Sequence, residues 1–339
     1  MIASFEKKVL FFKYPIGTSR GVLTEKHSWI LSIYKNRSIG VGECSIISGL
    51  SPDYLNDEVY EAFLSRVCQN IEYYIHNLIE LKPYPSILFG LESALLDLNN
   101  GGKRLYFDNS FSQGKRHIPI NGSVWMGDSS FMLNQISEKI KQGFDCIKMK
   151  VGAINFKKEC EILRKIRKEF PPGKIELRLD ANGAFSSSEA LEKLNTLEEF
   201  NVHSIEQPIM KGQIKSMALL CEKSIIPIAL DEELIGIQDL KSKKELLNSI
   251  RPQYIILKPS LHGGISGTKE WIEVSEKAGI PWWMTSALES NVGLLTIAQF
   301  VGEYSNKLPQ GLGTGSLYTN NYPTRLEILN GFISQNNNK

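Results

Sequence analysis

Five short motifs in this 339-residue chain carry residue types that do chemistry: Lys148-Met-Lys150, Asp180-Ala-Asn182, Glu206-Gln-Pro, Asp231-Glu232 and Lys258-Pro-Ser. From Lys150 the successive steps to Asp180, Glu206, Asp231 and Lys258 are 30, 26, 25 and 27 residues. A strand, a helix and two short loops take roughly 25–30 residues, so each charge stands at the equivalent place of a consecutive βα unit. Carboxylates brought together at one mouth repel unless a cation holds them. Three hard oxygen donors, with no His or Cys among them, suit Mg²⁺ or Mn²⁺ better than zinc. Lysines on both sides of such a metal suit removal of a proton next to a carboxylate. The metal offsets the negative charge that builds, and an amine takes the proton. The expected ligands are Asp180, Glu206 and Asp231, and the expected catalytic groups are Lys148, Lys150 and Lys258.

Each motif has a plainer reading. A Lys-x-Lys pair is ordinarily solvated surface. Here it lies in Cys146-Ile-Lys-Met-Lys-Val, a run that reads as a strand buried on both faces. Residues two apart on a strand share a face, so the two ammoniums point together and require nearby anions. A single strand-end Asp is often a helix cap. Three consecutive strand ends carrying carboxylates are harder to explain by capping. Lysine serves as a base where neighbouring cations crowd it, and Lys148 and a bound metal are the cations available beside Lys150. His203 is three residues before Glu206, faces the other way and reads as packing.

The elements that must position these groups follow from periodicity. Apolar strand candidates at residues 117–124, 145–151, 175–181, 202–206, 227–232, 253–258, 281–287 and 310–314 alternate with amphipathic stretches at 131–142, 156–170 and 187–200. Eight alternations predict a parallel (β/α) barrel of the TIM type over residues 116–316, whose strand ends form the active-site mouth. A doubly wound sheet would show the same alternation. Residues 1–115 read as an α+β capping domain, with a strand at 29–34, helices at 57–78 and 86–98, and a polar linker over 101–117. The tail, 317–339, is expected to return to the capping domain, with a frayed end from Gln335.

Composition narrows the function further. A net charge of +2 offers no surface for nucleic acid, and no apolar run reaches membrane-spanning length. Five scattered cysteines without a CxxC pair suit a reducing compartment, and the first residues lack the apolar stretch of a signal peptide. The expected setting is the cytoplasm and the expected partner a small carboxylate substrate. Oligomeric state is not legible.

Taken together, the five motifs resemble the muconate-lactonizing-enzyme-like subgroup of the enolase superfamily, whose sites pair Lys or His bases with Mg²⁺. The resemblance covers nearly the whole chain and implies a modified TIM barrel with an N-terminal cap. It also implies Asn182 and Glu232 behind the metal ligands. Thr285-Ser-Ala-Leu-Glu-Ser-Asn-Val-Gly293 and Gly311-Leu-Gly-Thr-Gly315 are similar to the succinylbenzoate-forming branch. That branch implies syn dehydration of 2-succinyl-6-hydroxy-2,4-cyclohexadiene-1-carboxylate, a step of menaquinone biosynthesis. Ser286, Gly313 and Thr314 would then meet the substrate's carboxylate or succinyl arm. The subgroup's dipeptide epimerases carry an Asp-x-Asp where this chain has Gly311-Leu-Gly, so a substrate ammonium has no partner there. N-acylamino-acid racemisation would use the same two lysine faces and stays open, as does a non-catalytic barrel. Gly42-Glu-Cys-Ser-Ile-Ile-Ser-Gly-Leu-Ser51 resembles the capping-loop region that closes over substrate, or is an ordinary Gly/Ser-rich turn.

Overall fold

The long alternating stretches at the start of the chain form three antiparallel strands, β1 (Ile2–Thr18), β2 (Gly21–Lys35) and β3 (Ser38–Ser45). The structure is a computed structural model and describes residues 1–18, 21–125, 127 and 129–338. One face of the sheet is apolar. Trp29, Leu31 and Ile33 pack there against helices α1 (Asp57–Gln69), α2 (Ile71–His76) and α3 (Pro85–Asn99). The helix expected over 57–78 is broken at Asn70, whose side chain turns back to the Arg66 carbonyl. α3 is buried nearly throughout. Its Gly90 lies so close to β3 that a Cβ would strike Cys44, and Gly42 has no room for one beneath the Gly90 carbonyl.

The stretch read as a linker is anchored. It buries Tyr106, Phe107 and Phe111, and the backbone N–H groups of Tyr106 and Phe107 donate to the Gln299 carboxamide. After it the predicted alternation appears. β4 (Ile118–Pro119) and β5 (Gly122–Val124) lead into α4 (Ser129–Lys141), β6 (Cys146–Lys150), α5 (Phe156–Glu169) and β7 (Glu176–Asp180). Then come α6 (Ala190–Glu198), β8 (Ser204–Glu206), α7 (Ile214–Lys223), β9 (Ile228–Leu230) and α8 (Leu240–Ile250). The series ends with β10 (Tyr254–Leu257), α9 (Gly264–Lys277), β11 (Trp282–Met284) and α10 (Asn291–Val301). The local logic is visible in α5. The Asn155 side chain caps its start, and Cys160, Leu163 and Ile166 form one buried stripe beneath a charged outer face.

Strands β5 to β11 make one parallel sheet in sequence order. Parallel bridges from Gln310 to Ile120 and from Gly311 to Thr285 close it into a ring. The eighth strand expected at 310–314 is reduced to these two bridges. Pro309 has no N–H to donate, and Thr314 already opens a 3-10 turn, Thr314–Leu317. Side chains hold this thin stave. Gln310 accepts from the Met284 N–H, and Arg178, fully buried inside the ring, donates to the Pro309 carbonyl at 2.9 Å. The strand expected over 117–124 is split, because β4 turns out of the ring to pair with β13 (Phe332–Gln335), which itself pairs with β12 (Leu326–Leu329). The tail touches the capping sheet as well, through a Phe12–Tyr318 bridge. Gln335 is not frayed: it is buried and bonded to Gln299 and Ser112. Lys339, the last residue of that expectation, lies outside the described residues. Among the described residues no helix is long and apolar enough to cross a membrane.

Candidate active site

Strand alternation sends Cys146, Lys148 and Lys150 into the ring and buries Ile147 and Met149 under the outer helices. The parallel register sets Lys150 beside Asp180 and Asp180 beside Glu206, while Asp231 follows directly on β9. The five motifs therefore meet at one mouth. Lys148 Nζ lies between two carboxylates, 2.9 Å from Asp180 Oδ2 and 2.5 Å from Glu206 Oε2. Lys150 Nζ donates to Asp180 Oδ2 at 2.7 Å and to Asn182 Oδ1. Lys258 Nζ donates to Asp231 Oδ2 at 2.5 Å. Lys148 and Lys150 stand on one side of the mouth, and Lys258 on the other.

The loops behind these groups are held by side chains. Asn182 has φ 45°, donates from its N–H to Asp180 Oδ1, and donates from Nδ2 to Glu232 Oε1 at 3.0 Å. Gln207 has φ 36°, a backbone state that costs a non-glycine residue roughly 1–3 kcal/mol. Its carboxamide oxygen accepts from the N–H groups of Asp231 and Glu233, and its NH₂ donates to the Ile209 carbonyl and Glu233. The strain thus sits where it aims Asp231. His262 accepts from the Lys258 N–H through Nδ1 at 3.0 Å.

Above the charges is a cavity of about 190 Å³. Lys148, Lys150, Lys258, Asp180 and Asn182 face it, while Glu206, Asp231 and Glu232 are buried outside its lining. The Ser286 and Thr314 hydroxyls, 2.5 Å apart, form part of its wall. Gly313 lies outside it and lines the neighbouring cavity. Ile47 and Leu50 of the 42–51 stretch and Leu288 of the 285–293 stretch also line the cavity above the charges, whereas the motifs left out Ser123, Trp125 and, from the capping unit, Ile16 and Leu23. Trp125 alone had a usable signal, since it follows the first strand at the place equivalent to the charged strand ends.

The electrostatics follow from burial and pairing. Burial alone would lower the Lys148 ammonium, but Asp180, Glu206 and Asp231 raise it above the ordinary lysine range. For Lys258 the pull of Asp231 and Glu232 likewise outweighs burial. Burial would raise Asp180, yet Lys148 and Lys150 hold its carboxyl well below the usual range. Burial pushes Glu206 up to about 7 against the pull of Lys148, with Asp180 and Asp231 adding to the rise. Burial drives His262 down to about 3.

The donor set can be tested against a hard divalent cation. Among the described residues no three acidic, histidine or cysteine groups converge as a ready ligand set, because the ammoniums occupy the space next to the carboxylates. Glu206 Oε1 and Asp231 Oδ1 are nevertheless buried without a hydrogen-bond partner. Buried carboxylate oxygens are costly to leave unpaired, and a cation would satisfy both. The residues fit such an ion.

Residues 132–337 match the family described as enolase C-terminal domain-like. The chain belongs to this family. Within the enolase superfamily it is 43% identical over 363 aligned positions to an o-succinylbenzoate synthase of Desulfotalea psychrophila, covering 98% of each chain. A crystal structure described as MenC from that organism superposes with a TM-score of 0.87 at 40% identity, covering 98% of this chain and 99% of the other. A D-Ala-D/L-Ala epimerase of Cytophaga hutchinsonii is 28% identical over 86% of this chain and 80% of its own. The capped, modified TIM barrel expected from the motifs is thereby established for this superfamily member.

Proposed function

We propose that this protein is an o-succinylbenzoate synthase, dehydrating 2-succinyl-6-hydroxy-2,4-cyclohexadiene-1-carboxylate to 2-succinylbenzoate. One observation carries the reading: lysine ammoniums face each other across a single cavity above three buried carboxylates. The full-length likeness to the Desulfotalea psychrophila synthase supports the choice of substrate.

Asp180, Glu206 and Asp231 would hold Mg²⁺ or Mn²⁺, with Asn182 and Glu232 bracing Asp180 and the loop after β9. A divalent ion there supplies positive charge next to the substrate carboxylate. Lys150 Nζ takes the ring proton next to that carboxylate, and the C–H electron pair moves toward the carboxylate. Lys258, on the opposite side, faces the negative charge that builds. The pair then returns to form the ring double bond as the C–O bond breaks. Lys150 hands its proton to the departing hydroxide on the same face, and water leaves. Ser286 and Thr314 donate to the succinyl arm. Aromatisation makes the step downhill. The activity would place the protein in menaquinone biosynthesis in the cytoplasm.

The test is product formation. Purified protein with Mg²⁺ and the cyclohexadiene substrate should generate the ultraviolet absorbance of 2-succinylbenzoate, and excess chelator should stop it. Faster α-proton exchange with N-succinylamino acids than dehydration of the cyclohexadiene would replace the synthase reading with a racemase.

A further inference from the structure

Glu43, in the Gly42-Glu-Cys-Ser motif, belongs to the capping sheet but spends all its bonding on the barrel side and on one neighbouring strand. It is fully buried on β3. Its Oε1 accepts from the Ser290 N–H at 2.9 Å and from the Ser28 hydroxyl at 2.7 Å. Its Oε2 accepts from the Ser290 hydroxyl at 2.5 Å and the Gly293 N–H at 2.9 Å. Ser290 and Gly293 are the cap and third residue of α10, 247 and 250 residues further along the chain. A helix start has N–H groups without internal partners, and a carboxylate there is favoured by the helix dipole.

We infer that Glu43 is a positioning residue of the active site: it fixes the start of α10 and, through the loop 286–290, the Ser286 hydroxyl at the cavity wall. This rests on the reading above that Ser286 meets the substrate. Three further hydrogen bonds brace the same junction, one to the loop after the adjacent strand β10 and two within the capping sheet. Glu289, fully buried in that loop, accepts from the hydroxyl of Ser260, two residues after Lys258. Lys26, buried on β2, donates to Ser28 at 3.0 Å and to Ser45 at 2.5 Å. Burial pulls its ammonium below the ordinary range, while Glu43 and Glu289 pull it back up. The geometry also demands glycine at 293, because a Cβ there would sit 3.0 Å from Glu43 Oε2 and 2.8 Å from Glu289 Cγ. The capping sheet is thus a fixed support for a catalytic loop as well as part of the cavity roof.

Two variants test this in the full chain. Glu43→Gln turns an acceptor into an NH₂ that faces donors at the helix start. Gly293→Ala intrudes on Glu43 although alanine is the better helix former. Both should raise KM about 5- to 30-fold with kcat within about threefold, and speed amide hydrogen exchange over 286–293 by a similar factor. Unchanged KM and unchanged exchange, with only a lower melting temperature, would overturn the inference. A Gly293→Ala protein more protected than the parent would do the same. Should Glu43→Gln fail to fold, Gly293→Ala decides. Should the parent not dehydrate the cyclohexadiene, the functional reading fails, while the exchange measurement still decides the role of Glu43.

Discussion

Lys150→Ala separates chemistry from folding, and the structure says why. Lys150 shares Asp180 with Lys148, whose Nζ lies 2.9 Å from the same Oδ2. Removing Lys150 therefore leaves Asp180 still paired with a cation, and the loss is its hydrogen bonds to Asp180 and Asn182. Hydrogen bonds to charged groups contribute about 1.5–3 kcal/mol each, and retained pairing holds the net change toward the low end. Removing Lys148 is different. Glu206 then has no partner on either oxygen, and breaking a buried ion pair costs about 3–5 kcal/mol. Activity should order the other way in kind. Loss of a positioned general base lowers kcat by about 10²–10⁴, or about 2.7–5.4 kcal/mol in the barrier. The assay is succinylbenzoate absorbance at saturating substrate and Mg²⁺, with denaturant midpoints on metal-free samples of the same preparations. Lys150→Ala should be folded and nearly inactive, Lys148→Met measurably less stable. Lys150→Arg should rescue little, because guanidinium stays protonated near neutral pH. A Lys150→Ala enzyme within tenfold of the parent would refute the assignment of the base, and equal destabilisation by the two variants would refute the pairing argument.

Asp231→Asn should weaken Mg²⁺ binding at least tenfold in calorimetric titration, since a neutral amide is a poorer ligand for a hard dication; unaltered affinity would remove Asp231 from the ligand set. Excess EDTA should abolish turnover, and added Mg²⁺ or Mn²⁺ should restore it. Dipeptides with a free amino terminus should epimerise poorly, because among the described residues the cavity wall offers no spare carboxylate and an unpaired ammonium costs several kcal/mol; deuterium exchange faster than that of the cyclohexadiene substrate would contradict this. His262 is held at about 3 in the fold against about 6.5 unfolded, so the unfolded chain takes its proton first as pH falls. That stability is present above pH 6.5 and is lost on acidification, at up to about 1.4 kcal/mol per unit. In urea midpoints from pH 7 to 5 the parent should fall more steeply than His262→Gln.

What the chain determines by itself is the rhythm. A βα unit consumes a nearly constant number of residues, so charges spaced 25 to 30 apart must recur at successive strand ends. Side-chain alternation must then turn Lys148 and Lys150 to one face. Barrel, cap and the five motifs were legible for that reason. Tertiary structure alone decided which charges pair. Lys148 bridges Asp180 and Glu206 because sheet register sets three strands abreast, a relation no single segment encodes. It alone reduced the strand expected at 310–314 to two closing bridges at Gln310 and Gly311, between a proline and the 3-10 turn. It brought Ser286 to Thr314, and Gly313 to another cavity. It also sent Glu43 to a helix start about 250 residues away. Such contacts follow from how two units dock, and docking is set by packing over the whole surface of each, which local periodicity does not carry.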